Sequence, residues 1–196
     1  MNKLNRELDI MQEPERPLSM HPQKFALWLF LVSIVMLFAA FTSAYIVRRG
    51  EGNWLDFDLP ALFSYTSVVI VLSSITMQWA YVSAKKDNLD MLKIALSLTT
   101  VLGIAFLVGQ WYAWGDLVDK DVYFVGNPSG TFIYVLTGVH GVHLISGVIF
   151  LIIVLISSFR YKVHSKSLLR IEMCATYWHF LGALWLYLFF FLSYNQ

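Results

Sequence analysis

Five long apolar segments, separated by short polar segments, dominate the pattern of the chain. They span residues 25–47, 61–83, 91–113, 131–156 and 172–194. A helix needs about 20 apolar residues to cross a hydrocarbon core of about 30 Å, and each segment reaches that length. We therefore predict an all-α fold, a polytopic membrane bundle of five transmembrane helices. Residues 25–196 form one transmembrane domain in this interpretation, and residues 1–24 form a cytoplasmic N-terminal arm.

The first apolar segment predicts a membrane helix rather than a signal peptide. It follows a polar stretch of residues 1–24. A signal peptide has an apolar region of roughly 7–15 residues, and this segment is longer. We therefore expect the first segment to stay in the membrane.

Positive charge is distributed unevenly between the polar segments. Eleven of the fourteen Lys and Arg residues fall in the N-terminal arm and around the second and fourth connections. The opposite side has only Arg48, Arg49 and Lys120. Cytoplasmic loops carry the excess of positive charge in membrane proteins. The pattern predicts a cytoplasmic N-terminus and an external C-terminus.

Composition agrees with a membrane protein and narrows the classes of function. The 196 residues are 58% hydrophobic and 14% charged, against roughly 25% charged in an ordinary soluble domain. The formal net charge of +1 gives no field that would attract nucleic acid. Cys174 is the one cysteine, so no internal disulfide or Cys-x-x-Cys site exists.

The last two predicted spans contain three histidines and a glutamate. His140 and His143 share one face of the fourth helix, and Glu172 and His179 share one face of the fifth. Ionisable groups in lipid are costly and usually face the bundle interior or a partner. We therefore predict a polar seam between the fourth and fifth helices.

Three chemical interpretations of this seam stay open. The histidines can be inter-helix hydrogen-bonding partners. They can bind haem, because His143 and His179 could face each other, although a dihaem cytochrome needs four such residues. Glu172 and His179 can also form a proton relay. The fourth helix further carries Gly138, Gly141 and Gly147, whose small surfaces favour close packing of another helix.

Other chemistry finds little support in the sequence. Ser73, Ser74 and Thr76 have no base beside them in the sequence, and such side chains usually bond to their own or a neighbouring helix. Gln110 is a single buried polar candidate near the end of the third segment. No phosphate loop or dinucleotide fingerprint occurs. The residues thus indicate a membrane subunit without an active site or metal site of its own.

Two sequence motifs on the last two predicted helices resemble those of subunit III of haem–copper oxidases. The first motif is T-G-x-H-G-x-H over residues 137–143, followed by Gly147. The second is E-x6-W-H-F-x4-W-L over residues 172–186. Smaller similarities occur at Ser73, Ser74 and Thr76 in the second segment and at Gln110 in the third. The resemblance covers nearly all of the chain from His21 onward.

The resemblance implies an accessory subunit of a bacterial proton-pumping terminal oxidase, in its short five-helix form. Such a subunit holds no haem or copper, which lie in partner subunits. It contacts mainly subunit I, with subunit II and small subunits nearby, binds phospholipid, and supports proton uptake in the bacterial cytoplasmic (inner) membrane. Membership of a larger respiratory supercomplex stays open. In this setting His140, His143, Glu172 and His179 are expected to act as inter-helix or lipid-headgroup partners, with no catalytic residue in the chain.

The chain also departs from the resemblance. Ile34 stands where many members carry a membrane Glu, and Gly182 and Ala113 stand near places where an acidic residue is usual. These departures weaken a proton-relay role and leave the structural role intact. Cytochrome c is the favoured electron donor. The alternatives are a quinol oxidase or nitric-oxide-reductase-associated homologue and, in another class, a stand-alone haem-binding membrane cytochrome.

Overall fold

A computed structural model describes residues 21–55, 57–159 and 168–195, and these residues form five α-helices without a strand. The helices are α1 (Pro22–Gly50), α2 (Ala61–Lys85), α3 (Leu89–Asp119), α4 (Pro128–Phe159) and α5 (Leu169–Tyr194). All five are long and apolar enough to cross a membrane. The prediction of a five-helix all-α membrane protein is confirmed. The predicted arm lies outside the described residues up to position 20.

Each predicted segment lies inside an observed helix, and the helices extend up to six residues further. Polar caps account for the added residues at the starts of α1 and α3, because side-chain acceptors there satisfy backbone N–H groups that have no partner in the helix. The His21 ring accepts from the Gln23 N–H at 3.3 Å, and the Asn88 side chain accepts from the Met91 N–H at 3.2 Å. Hydrophobicity alone does not reveal these turns.

The helices divide into four that pack around a common core and one that lies outside it. Helices α2 and α3 pack along each other after a tight turn at residues 86–88, α3 packs on α4, and α4 packs on α5. Helix α5 returns to α2 and closes the group. Helix α1 packs on α4 and α5.

Aromatic side chains fill the centre of the four-helix group. Trp185 stacks on Phe63 of α2 with 5.8 Å between ring centroids and meets Phe106 of α3 edge-on at 4.9 Å. Trp178, also fully buried, lies two turns along α5. Many large apolar side chains point outward instead, for example Met36 and Trp111, which are 69% and 72% exposed. An apolar outer surface is what a bilayer requires of a spanning bundle.

Candidate functional site

The second motif on α5 forms a row of polar contacts with α2. The Trp178 indole N–H donates to Ser73 Oγ at 2.6 Å, and the Trp185 indole N–H donates to Ser67 Oγ at 2.9 Å. All four side chains are buried. A buried indole needs a partner for its N–H, and a serine hydroxyl on the facing helix supplies it. The motif therefore fixes the register of α5 against α2.

His179 continues the same row toward the half of the bundle where α5 begins. Its Nδ1 lies 3.3 Å from Ser74 Oγ, and its Nε2 lies 3.3 Å from Gln78 Oε1. Both partners belong to α2. His179 is therefore an inter-helix partner between α5 and α2 rather than between α5 and α4.

His140 occupies a different environment at the centre of the bundle. Its side chain is fully buried, and neither ring nitrogen has a hydrogen-bond partner. Its ring centroid lies 5.2 Å from Trp185, 6.2 Å from Phe106 and 6.4 Å from Phe38. These rings come from α5, α3 and α1. His140 thus joins four helices through aromatic packing, and no hydrogen bond contributes to that junction.

His143 lies one turn further along α4 and faces α1. Its Nδ1 lies 2.8 Å from the Val139 carbonyl oxygen, and its ring packs against Phe30 and Phe38. The backbone carbonyl of His143 also accepts a hydrogen bond from the Tyr177 hydroxyl at 3.2 Å, which links α4 to α5.

Glu172 forms an ion pair at the start of α5. Its Oε1 lies 2.7 Å from Lys24 Nζ, in the first turn of α1. The two side chains are 40% and 32% exposed. The pair ties the beginnings of α1 and α5 together at the surface of the bundle.

The prediction of one polar seam between α4 and α5 is therefore wrong. Glu172 reaches α1, His179 reaches α2, and His140 has no polar partner. The prediction failed because the face of α5 that carries Glu172 and His179 is directed between α1 and α2 and does not meet α4. His143 and His179 do not face each other, and the geometry gives no support to haem ligation by that pair.

The three glycines of α4 differ in what surrounds them. A Cβ at Gly147 would lie 2.8 Å from Leu181 Cδ1, so close packing of α5 requires this glycine. A Cβ at Gly138 would make only ordinary contact with Trp114 at 3.8 Å, and one at Gly141 would meet open space. Of these three glycines, only Gly147 is closely approached by a side chain of α5. Gly103, which resembles the family in sequence, was not marked as a packing position, yet a Cβ there would lie 2.6 Å from Trp178 Cη2.

Hydroxyl groups of α2 also bond to α3. Gln110 Nε2 donates to Thr66 Oγ1 at 2.8 Å, and the hydroxyls of Thr76 and Thr99 lie 2.8 Å apart. Gln110 is buried, as its position in the third segment indicated. Ser73, Ser74 and Thr76 bond to neighbouring helices and to backbone, which is the structural role predicted for them.

The connection between α3 and α4 carries a tyrosine outside the membrane segments. The Tyr123 hydroxyl donates to Asp121 Oδ1 at 3.2 Å. This hydrogen bond, together with the negative charge of Asp121, raises the pKa of Tyr123 above its ordinary value. The phenol therefore stays neutral at physiological pH.

Within the described ranges, no group of three or more His, Cys, Asp or Glu residues is arranged to hold a metal ion.

Comparisons with known proteins agree with the two motifs. The family model for cytochrome c oxidase subunit III matches residues 53–196. A probable cytochrome c oxidase subunit 3 of Nocardia farcinica is 30% identical over 167 residues, covering 82% of each chain. Cytochrome c oxidase subunit 3 of Alkalihalophilus pseudofirmus is 29% identical over 182 residues, covering 90% of this chain and 88% of the relative.

A third relative bears the name of a quinol-oxidising enzyme. Cytochrome bo(3) ubiquinol oxidase subunit 3 of Buchnera aphidicola is 26% identical over 176 residues, covering 87% of this chain and 93% of the relative. The matched region includes the α4 and α5 motifs and all of α2 and α3. The chain belongs to the cytochrome c oxidase subunit III family.

Proposed function

We propose that the chain is an accessory subunit without a redox centre, which stabilises subunit I of a bacterial terminal oxidase and supports its proton uptake. This proposal rests on the contacts that the ionisable side chains of the spans make. Glu172 pairs with Lys24, His179 contacts α2, and His140 packs among aromatic rings. Groups engaged in holding helices together favour a scaffold over a reaction centre.

A spectrum of the purified complex tests the absence of a redox centre. The complex is purified through a tag on this chain, and reduced-minus-oxidised spectra are taken before and after the chain is stripped off in detergent. We expect the haem bands to stay with the larger partner. Bands that follow the isolated chain would contradict the proposal and support the stand-alone cytochrome.

The electron donor in the proposal is cytochrome c. Two of the three relatives above carry the name cytochrome c oxidase, and one carries that of a ubiquinol oxidase. Oxygen consumption by the purified complex, supplied with reduced cytochrome c or with a quinol, separates these donors. Nitric-oxide consumption by the same preparation tests the third alternative.

The orientation in the proposal places the N-terminus in the cytoplasm of a bacterial cell. The uneven distribution of Lys and Arg supports it. Val125 lies in the α3–α4 connection, and Lys86 lies in the α2–α3 turn; both are exposed. A membrane-impermeant thiol reagent should label V125C in intact spheroplasts and K86C only in inverted vesicles. The reverse pattern would contradict the orientation.

A bound phospholipid is also part of the proposal. A groove of about 940 Å³ runs between α1 and the start of α4, with Ala44, Val47 and Phe132 on its apolar side and Arg48 at its end. An acyl chain fits the apolar side. The Arg48 guanidinium donates to Glu51 Oε2 at 2.8 Å and has further N–H groups that suit a phosphate. Lipid analysis of the purified complex should show less bound phospholipid in Arg48→Ala than in the control Lys120→Ala.

A further inference from the structure

A carboxamide is exposed on the membrane-facing surface of α2. Helix α2 has 25 residues, and Gln78 lies seven residues before its end at Lys85. At 1.5 Å per residue the helix is about 37 Å long, so Gln78 lies about 10 Å from its end. Against a hydrocarbon core of about 30 Å, a centred helix places Gln78 about 7 Å below the interface.

The hydrogen-bonding capacity of Gln78 is only partly used. Its Oε1 lies 3.3 Å from His179 Nε2, while no described residue accepts a hydrogen bond from its Nε2. The exposed Ser33 differs in this respect, because its hydroxyl donates to the Phe30 carbonyl of its own helix at 2.7 Å. An amide N–H without an acceptor in hydrocarbon is costly. Gln78 therefore requires an acceptor from outside the described chain.

Beyond His179, which contacts Gln78, the outer face of α5 lies open between α1 and α2. This face forms the floor of a cleft, with Ala183, Tyr187 and Phe190 exposed at helical spacing. Grooves of about 320 Å³ flank this floor on both sides, one toward α1 at Val35 and one toward α2 at Val71. A small residue on the floor, such as Ala183, permits close approach of another backbone.

We propose that one transmembrane helix of another oxidase subunit lies in this cleft along α5 and accepts a hydrogen bond from the Gln78 amide. A lipid does not meet the requirement, because an acyl chain offers no acceptor about 7 Å below the interface. The partner helix carries an Asn, Gln, Ser or Thr side chain at that depth, and its neighbouring side chains enter the two grooves. This inference rests on the proposed function, since it requires assembly with other subunits.

Photo-crosslinking in the intact complex tests the position of the helix. A photoreactive amino acid replaces Ala183 or Val71, which line the cleft, or the exposed Ile104 of α3 as a control. We expect A183 and V71 probes to crosslink to the same transmembrane helix of a co-purified subunit, with its polar residue mapped near the crosslink. The Ile104 probe should not reach that helix.

A substitution tests the hydrogen bond itself. Gln78→Leu should lower the amount of the crosslinked subunit that survives detergent washing about threefold, the effect of one interhelical hydrogen bond in lipid. The matched control Ser33→Ala removes an exposed hydroxyl whose bond stays within its own helix, and it should leave retention unchanged.

The results that would contradict this inference differ from those that would contradict the proposed function. Crosslinking of the cleft probes to lipid alone, or equal retention in Gln78→Leu and wild type, would overturn the inference while the subunit I assembly stands. If the tagged wild-type chain brings down no oxidase subunit from membranes that contain active oxidase, the proposed function fails, and the inference fails with it.

Discussion

At the scale of single residues, the space around each glycine decides its role. Gly103 and Gly141 both lie inside long helices, yet a Cβ would meet Trp178 at 2.6 Å in the first case and open space in the second. The sequence marked Gly141 because it belongs to a conspicuous glycine pattern on α4. It did not show that Gly103 is a packing position, because the large side chain that approaches this glycine comes from another helix.

Alanine substitutions at these two glycines should have opposite effects. Gly103→Ala forces a methyl group against the buried Trp178 ring, and overpacking of this kind costs about 1–3 kcal/mol. Gly141→Ala adds a methyl group in open space and improves helix propensity, so stability should be unchanged or raised. Thermal unfolding in detergent measures both. A lower midpoint for Gly141→Ala than for Gly103→Ala would contradict the packing.

The hydrogen bond of Trp178 gives a second test at this scale. Trp178→Phe removes the indole N–H that donates to Ser73 Oγ at 2.6 Å, and the free energy of unfolding should fall by about 1–2 kcal/mol. Trp79→Phe is the control, because Trp79 belongs to α2, one of the two helices that this bond joins, but its side chain is 43% exposed. Detergent unfolding curves should separate the two variants. Equal unfolding curves for Trp178→Phe and Trp79→Phe would show that the hydrogen bond to Ser73 contributes nothing to stability.

At the scale of helices, the sequence predicted which segments span but not which faces meet. Each span is apolar around most of its circumference, since one side faces the core and the other faces lipid. Periodicity therefore could not assign His179 to α2 or Glu172 to α1. The predicted segments were short at most ends, because the terminal turns of the helices contain polar residues, such as Arg48 in α1 and Asp116 in α3, that fall outside an apolar window.

The ion pair between α1 and α5 should contribute modestly and depend on salt. Lys24 and Glu172 are partly exposed, and pairs of this kind contribute about 0–1 kcal/mol. Glu172→Gln should lower the unfolding midpoint of the isolated protein slightly at low salt and not at high salt. The charge swap Lys24→Glu with Glu172→Lys should restore the midpoint.

A pair within one helix serves as the matched control. Arg48 Nη1 lies 2.8 Å from Glu51 Oε2 at the end of α1. This ion pair therefore does not connect α1 to another helix. Glu51→Gln should leave the unfolding midpoint of the isolated protein unchanged at low salt. A decrease as large as that of Glu172→Gln would show that the pair between α1 and α5 has no special role in holding α1.

At the scale of the whole molecule, four helices meet at His140 through ring packing rather than hydrogen bonds. The sequence correctly marked this histidine as buried within the bundle, but its partners were expected to be polar. Three aromatic residues from α1, α3 and α5 surround it instead, far apart in sequence. Such a junction arises only when the helices assemble, so no local pattern around residue 140 could predict it.

Replacement of His140 should therefore affect durability more than chemistry. His140→Ala leaves a cavity at the junction, and large-to-small changes in a core cost about 2–5 kcal/mol. His140→Phe retains the ring and loses no hydrogen bond, because neither imidazole nitrogen has a partner. In the assembled oxidase both variants should show near wild-type initial oxygen consumption. The number of turnovers before inactivation should fall in His140→Ala and remain high in His140→Phe.

The two variants together distinguish a scaffold from a proton carrier. A proton carrier requires the imidazole, so His140→Phe would then lose activity at least as completely as His140→Ala. A scaffold requires only volume and shape at the centre of four helices, and the phenyl ring supplies both. Immediate and complete loss of oxygen consumption in a fully assembled His140→Phe complex would overturn the accessory role. A shortened lifetime confined to His140→Ala is the result that ring packing predicts.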